Sequence, residues 1–147
     1  MASWVSSVAL LVYRETSDGT YQVLVRFIPG HRLAYGIPFR DLETGEKEIN
    51  CARDVGENSL GVNLAANSLN LKDSVLVSET GELEKTRVFL VRSSPQLEAL
   101  AQLDDVRGWK YTFVHISALR SVWVTREIEA SGAALKFALA SLKALAT

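Results

Sequence analysis

The sequence predicts a single domain of the α/β class, a sandwich in which a central mixed β-sheet carries helices on its faces. Three observations predict this class: short β-rich runs alternate with turn residues, one amphipathic helix lies inside the chain, and a longer one lies near its end. With 147 residues, 48% of them hydrophobic, the chain is long enough to bury one core. We therefore expect residues 1–147 to form one domain.

The first two strands are predicted to form a hairpin. Residues 4–13 are a compact apolar run, and residues 21–27 alternate as YQVLVRF. The connector between them contains Asp18-Gly19, a dipeptide typical of tight hairpin turns. Residues 28–45 hold three glycines and two prolines, which favour turns, so this stretch is predicted to be mostly loop.

A helix is predicted at residues 46–58, because the apolar residues Ile49, Ala52 and Val55 recur at every third position. Gly56 lies inside it and is unfavourable there by about 1 kcal/mol relative to Ala. Residues 74–78 and 86–91 are predicted to form a second hairpin around Thr80-Gly81, and residues 95–103 a short helix. A strand at 111–116 is followed by a helical turn at 117–121, and a long terminal helix is predicted at 125–145.

The composition argues against several classes of function. The net charge is −1, so nothing indicates an electrostatic nucleic-acid binder. The apolar run near the N-terminus is too short to span a bilayer, and no Lys or Arg precedes it as in a secretory leader. The single Cys51 rules out an internal disulfide and fits a reducing compartment. We expect a cytoplasmic protein without a membrane partner.

Residues 35–62 carry the clearest chemical pattern in the chain. They combine an apolar-proline turn, a Gly-Glu pair before an acidic helix, and a closing Gly-aliphatic pair. These features are carried by Tyr35, Ile37 and Pro38, by Gly45 and Glu46, and by Gly61 and Val62. In this order they resemble the signature of the Nudix hydrolases, G-x5-E-x7-R-E-U-x-E-E-x-G-U, in which U is a bulky aliphatic residue.

The resemblance implies a Nudix-like α/β/α sandwich and a class of reaction. Nudix hydrolases cleave nucleoside diphosphates linked to another group, with carboxylates that hold divalent metal ions against the pyrophosphate. The metals neutralise the phosphate and lower the pKa of a bound water, which attacks phosphorus. Carboxylates at helical i, i+3 and i+4 spacing share one face, which suits a hard cation such as Mg²⁺ or Mn²⁺.

Two registers of the acidic helix against this signature remain open. In the gapless register, the Gly-Glu pair, the small residues of the helix and the closing Gly61-Val62 all match. The signature's arginine and three glutamates then fall on Asp54, Val55, Asn58 and Ser59. In this register nearly every metal ligand is missing.

The shifted register moves the helix back by one residue. The signature's arginine then falls on Arg53 and its aliphatic position on Val55. Its three glutamates fall on Asp54, Glu57 and Asn58. It requires one residue deleted after Glu46 and one inserted before Gly61. Helical periodicity favours this register because Val55 then extends the apolar stripe, whereas loop lengths favour the gapless one.

In the shifted register, the resemblance assigns metal and catalytic roles. Glu46, Asp54 and Glu57 are the candidate ligands for Mg²⁺ or Mn²⁺. Glu57 and Arg53 are the candidate catalytic residues, with Arg53 orienting a carboxylate through a bidentate pair. Asp54 is one methylene shorter than Glu, and Asn58 is neutral and a poorer Mg²⁺ ligand, so efficient two-metal hydrolysis is not expected.

Three basic residues are candidate substrate ligands. His31 and Arg32 lie in the Gly/Pro-rich loop before the motif, where they would meet phosphate, and an ordinary surface pair is an equal alternative. Arg40 stands where the signature has its leading glycine, so it brings bulk and positive charge to that position. It either pairs with a phosphate or forms a salt bridge with Glu46 or Asp41, and we favour the salt bridge.

Other conspicuous residues are expected to be structural. Cys51 should be a small buried helix residue and His115 a structural strand residue. Asp104 and Asp105 precede Trp109 in a stretch that resembles a later Nudix segment, where some members draw an extra catalytic carboxylate. We expect a solvated turn there instead.

The predicted function is that of a divergent Nudix-superfamily protein that hydrolyses weakly, or binds, a nucleoside diphosphate derivative. As an enzyme it would be a Mg²⁺-dependent pyrophosphohydrolase. The alternative is a catalytically inactive Nudix-fold binding or scaffold domain. The expected partner is a small-molecule nucleotide derivative. A homodimer is a further option, because alanines in the terminal helix permit close helix contact.

Overall fold

The computed structural model describes residues 5–28, 36–64, 69, 74–78, 85–106 and 108–116. Its strands are β1 (Val5–Glu15), β2 (Tyr21–Phe27), β3 (Phe39–Asp41), β4 (Ser74–Ser78), β5 (Lys85–Arg92) and β6 (Lys110–His115). Its helices are α1 (Glu48–Val55), a π-helical continuation of α1 (Gly56–Leu60), and α2 (Pro95–Leu100). We call Gly56–Leu60 the π segment.

The hairpin predicted at the start of the chain is confirmed, since β1 and β2 pair in antiparallel register. At its turn, the Asp18 carboxylate accepts hydrogen bonds from the hydroxyl groups of Thr16 and Thr20. These bonds, with that from Thr16 the largest cause, favour the charged carboxylate and lower the pKa of Asp18 to about 2.

The strands form one mixed sheet in the order β4-β5-β1-β2-β6, with β3 also paired to β1. One edge of β1 pairs with β5 in parallel. The other edge is shared, because β3 pairs with residues 7–9 and β2 with residues 12–15, both antiparallel. The predicted central mixed sheet is therefore confirmed, with β1 at its centre.

Alternate residues of the strands feed two apolar layers on opposite faces of the sheet. The first layer is covered by α1, the π segment and α2; its sheet members include Val8, Leu10, Val12, Leu24, Phe89, Val91 and Tyr111, and its helix members include Cys51, Ala52, Val55, Leu60, Leu97 and Leu100. The second layer contains Ala9, Leu11, Val23, Val25, Ile37, Val88, Leu90 and Ile116. Because α1 buries one face in the first layer, its opposite face is turned away from the sheet.

Some local predictions need correction. The prediction that residues 28–45 are mostly loop holds for the described part of this stretch, with the exception of β3. Its residues are extended because they pair with β1, a distant partner that local composition does not reveal. The helix predicted at residues 46–58 begins at Glu48 and changes to π geometry at Gly56. The short helix predicted at residues 95–103 ends at Leu100.

Several predictions fall outside the described residues. These are the Thr80-Gly81 turn, the helical turn at 117–121 and the terminal helix at 125–145. The helix expected on the second face of the sheet therefore stays a prediction. Among the residues that are described, no helix is long and apolar enough to cross a membrane.

Candidate functional site

A polar pocket of about 460 Å³ lies where the loop after β3 meets the outer face of α1. Its lining consists of charged or amide side chains: Arg40, Glu43, Glu46, Asn50, Arg53, Asp54 and Glu57. The four residues of this set from α1 and the π segment follow helical i, i+3, i+4 and i+7 spacing, which puts them on one face. The pocket thus contains every candidate metal ligand and catalytic residue that the sequence predicts.

The buried face of α1 determines which way Asp54 and Glu57 point. Val55 is only 2% exposed and belongs to the first apolar layer, together with Ala52. Asp54 and Glu57 instead line the pocket with Glu46. This is the arrangement expected in the shifted register, in which Val55 is the bulky aliphatic residue and its two acidic neighbours face the loop.

The π segment has room for the inserted residue that the shifted register requires. Its hydrogen bonds span five residues instead of four, so it holds one more residue than an α turn. It ends at Gly61, whose backbone is left-handed with φ of +68°, a conformation that glycine adopts without strain. Gly56 is needed for a different reason: a Cβ there would lie 2.7 Å from Leu64 Cδ1.

Arg40 joins two of the predicted metal ligands. Its Nη2 donates to Glu46 Oε2 at 2.6 Å, and its Nε lies 2.8 Å from Asp54 Oδ2. The buried Nε donates no hydrogen bond, so the contact with Asp54 is a pairing of charges and not a directed bond. Nη1 donates to the backbone carbonyl of Asp41 at 3.0 Å. The salt bridge expected between Arg40 and Glu46 is confirmed.

The other oxygens of the two carboxylates also have partners. Glu46 Oε1 accepts a hydrogen bond from the Glu43 backbone N–H at 3.1 Å, which closes the loop before α1. Asp54 Oδ1 accepts one from Asn58 Nδ2 at 2.6 Å. All four carboxylate oxygens are therefore engaged within the protein.

The electrostatics of Arg40 and Glu46 reinforce each other. The hydrogen bond from Arg40 holds the pKa of Glu46 below its ordinary value, and the same bond raises the pKa of Arg40. Both groups are consequently charged at neutral pH. Cys51 lies beneath them on the buried side of α1, and burial raises the pKa of its thiol to about 11. The expected role of Cys51 as a small buried residue is confirmed.

These side chains do not fit a divalent metal ion in their present arrangement. Mg²⁺ requires near-octahedral oxygen ligation at short distance. Among the described residues, no three His, Cys, Asp or Glu side chains are grouped so that they could hold a metal ion. Arg40 instead contacts both Glu46 and Asp54, and the metal roles predicted for these two residues and Glu57 stay predictions.

The remaining predicted site residues divide into two groups. Arg53 lines the pocket and forms no ion pair with any residue that the structure describes. His31 and Arg32 lie outside the described residues, so their predicted contact with substrate stays a prediction. Asp105 accepts a hydrogen bond from the Gly108 backbone N–H at 2.7 Å and is exposed, as expected of a solvated turn.

Sequence reasoning missed one buried cation. Arg26 on β2 is 7% exposed, and its guanidinium carbon lies 4.1 Å from the centroid of the Trp109 ring. It lies two residues after the buried Leu24, on the same face of the strand, so an inward orientation is readable from the strand pattern. Stacking on an aromatic face stabilises a partly desolvated guanidinium, which explains how it is tolerated there.

Comparison with known proteins gives a clear result only at the level of structure. No known family profile matches the sequence, and no curated protein matches it. A MutT structure from work on Aliivibrio salmonicida and Vibrio cholerae is similar, with a TM-score of 0.60, 16% identity, and 92% of this chain and 97% of MutT covered. The Ap4A hydrolase of C. elegans, in a binary complex, is similar with a TM-score of 0.57, 15% identity and 95% of both chains covered.

A third solved structure extends this likeness. The NUDIX domain of Shewanella oneidensis NrtR, complexed with ADP ribose, has a TM-score of 0.59 and 12% identity, with 99% of this chain and 90% of that domain covered. This chain has a Nudix-like fold. At such low identities the likeness extends to the fold alone. Within the Nudix-like fold, the pocket is built by the segment whose residues resemble the Nudix signature.

Proposed function

We propose that this protein is a catalytically inactive Nudix-fold domain that binds a nucleoside diphosphate derivative. One observation carries the proposal: the Arg40 guanidinium contacts both Glu46 and Asp54. Two-metal hydrolysis needs carboxylates that are free to hold cations against the pyrophosphate. Here two of the three candidate ligands already form ion pairs with one arginine of the same chain.

Displacing this arginine is unfavourable for a weakly held metal. A guanidinium stays charged at every accessible pH and presents its donors in a rigid fork. Mg²⁺ gives up its water ligands reluctantly, so it would have to lose hydration and expel Arg40 at the same time. Metal-dependent turnover is therefore expected to be absent or very slow.

The ligand class is supported by the fold and by the size of the pocket. The similar NrtR domain was determined with ADP ribose, and another similar protein is an Ap4A hydrolase. A volume of about 460 Å³ lies within the usual range for small-molecule sites. The lining carries four carboxylates and two guanidinium groups, a net charge of −2. Since this charge repels phosphate, we expect the phosphates to depend on Arg53 and on the predicted contacts of His31 and Arg32.

The test separates binding from hydrolysis with two probes, ADP-ribose and diadenosine tetraphosphate. We expect calorimetry to detect binding of at least one probe in the presence of EDTA. We expect no turnover with Mg²⁺ or Mn²⁺ near the range of about 1–1,000 s⁻¹ that is typical of enzymes. Metal-dependent turnover in that range, lost in Glu57→Gln, would overturn the inactive assignment. Failure to bind either probe would overturn the binding assignment and leave a scaffold domain.

A further inference from the structure

We propose that Arg40 is the resident cation of this pocket: its single charge pairs with both Glu46 and Asp54 where a divalent metal would bind, and thereby excludes metal from them. This inference rests on the proposed function and names the residue responsible for the lost metal dependence. It assigns Arg40 a positioning role, because the guanidinium joins the loop before α1 to α1 itself.

The sheet determines where the Arg40 side chain points. Arg40 on β3 is paired directly with Val8 on β1. Residues directly opposite in an antiparallel pair have their side chains on the same face. Val8 belongs to the layer beneath α1, so Arg40 also points to the α1 side, whereas its neighbour Phe39 packs against the second layer. The register of β3 against β1 therefore places the Arg40 guanidinium beside the carboxylates of Glu46 and Asp54.

The contacts of Arg40 resemble those of a bridging cation. Arg40 Nη2 lies 2.6 Å from Glu46 in the loop before α1, and Arg40 Nε lies 2.8 Å from Asp54 on α1. Nη1 donates to the Asp41 carbonyl, and this third contact fixes the plane of the guanidinium. The Glu46 side chain is only 20% exposed and the Arg40 side chain 28% exposed, so solvent screens the contact between them incompletely, whereas Asp54 is 40% exposed and its contact is screened more strongly.

Removing Arg40 should allow a metal site to form. The carboxylates are not grouped for metal binding while Arg40 holds Glu46 and Asp54, but without this counter-cation both are free to regroup with Glu43 and Glu57 of the same lining. Oxygen-rich, negatively charged clusters of this kind are what Mg²⁺ and Mn²⁺ prefer. The original protein, by contrast, should be insensitive to both ions.

The experiment compares Arg40→Gln with the original protein by thermal unfolding in EDTA, MgCl₂ and MnCl₂, without nucleotide. Glutamine keeps an unbranched polar side chain but removes the charge. We expect no metal-dependent change in the original protein and a rise in the unfolding midpoint of about 3 °C or more in Arg40→Gln, at metal concentrations about tenfold above its Kd. Calorimetric titration with MnCl₂ should show binding only to the variant.

The matched control is Arg53→Gln, which removes the same charge from the same lining but not from between the two carboxylates. We expect no metal-induced rise in this variant. Arg40→Lys provides a second test that retains the charge: one ammonium lacks the fork and cannot hold both carboxylates, so its metal-induced rise should be smaller than in Arg40→Gln but larger than in the original protein. If the glutamine variant does not fold, a folded Arg40→Lys variant without any metal-induced rise overturns the inference.

Three outcomes overturn the inference. The first is metal binding by the original protein. The second is a metal-induced rise in the unfolding midpoint of Arg53→Gln equal to that of Arg40→Gln. The third is that the Arg40→Gln and Arg40→Lys variants fold but show no rise with either metal. The third leaves the proposed function intact, because it concerns only the cause of metal independence. Metal-dependent hydrolysis of ADP-ribose by the original protein would instead overturn the proposed function as well.

Discussion

At the scale of single residues, the identity of position 40 sets the character of the whole pocket. Glycine, as in the signature, would leave the neighbouring carboxylates uncompensated, whereas arginine supplies a permanent charge. The chemistry of the site therefore depends on an ion pair between loop and helix. Such a pair has consequences for acid stability as well as for metal binding.

Acid titration should reveal this ion pair. Arg40 lowers the pKa of Glu46 below its ordinary 4.5 in the folded protein, so the resulting stability is fully present above pH 4.5 and is lost as pH falls through the folded pKa. In Arg40→Gln this contribution should be largely missing. We expect the difference in unfolding free energy between the two proteins to shrink below pH 4.5. A difference that stays constant from pH 7 to pH 3, measured by urea unfolding, would contradict this assignment.

Cys51 should be chemically silent in the folded protein. Its side chain is fully buried, and burial raises the pKa of its thiol from 9.0 to about 11, so the reactive thiolate is scarce at pH 8. We expect an aromatic disulfide reagent to modify Cys51 only as fast as the protein opens. Reaction should become immediate in concentrated urea. A native rate equal to that of the unfolded chain would show that the thiol is accessible.

At the scale of elements, the π segment depends on a close approach between two residues. Gly56→Ala would bring a methyl group within 2.7 Å of Leu64 Cδ1, and Leu64 is itself buried. The clash should outweigh the better helix propensity of Ala, so we expect a loss of about 1–2 kcal/mol in unfolding free energy. The measurement is chemical denaturation.

A double-mutant cycle isolates the cause. With Leu64→Ala in the background, Gly56→Ala should become neutral or stabilising, because the atom it meets has gone. Gly61→Ala is the matched control: its cost of about 1 kcal/mol comes from the left-handed backbone and should not depend on Leu64. Equal costs of Gly56→Ala in both backgrounds would rule out the steric explanation.

The sequence predicts α1 well and the π segment not at all. Ile49, Ala52 and Val55 mark the buried stripe because apolar spacing is a local property. The same spacing cannot show where hydrogen bonding changes from four to five residues. From the sequence, Gly56 is only an unfavourable helix residue, whereas in the structure its missing side chain makes room for Leu64.

At the scale of the whole molecule, an ion pair joins the first turn of α1 to the strands β5 and β4 of the sheet. Arg87 on β5 places Nε 2.9 Å from Glu48 Oε1, and its Nη1 donates to Ser74 Oγ on β4 at 3.0 Å. Both charged side chains are mostly buried. We expect Arg87→Gln to lower the unfolding free energy by about 1 kcal/mol, after allowance for solvent screening.

The control is another ion pair of the same sheet. Lys110 lies 3.7 Å from Asp104, which is fully exposed, so Asp104→Asn should change the unfolding free energy by less than about 0.5 kcal/mol. Similar effects of the two substitutions, measured by urea denaturation at one salt concentration, would show that burial does not strengthen the Arg87 pair.

Much of the sheet was predictable, but the centre of the pocket was only partly so. The β1–β2 hairpin follows from alternation and a turn dipeptide, and the salt bridge between Arg40 and Glu46 follows from opposite charges near each other along the chain. The second contact of Arg40, with Asp54, requires β3 to pair with β1. A three-residue strand fixed by a distant partner leaves no periodic trace in the sequence.

The central position of β1 has a consequence for synthesis of the chain. Its parallel partner β5 joins it through contacts such as that between Ser7 Oγ and Thr86 Oγ1, which are 79 residues apart. At about 5–20 residues per second, a ribosome needs about 4–16 s to make the intervening chain. During that interval β1, which contains six consecutive buried residues, has one edge unpaired. Early recognition by cellular chaperones is therefore expected at β1.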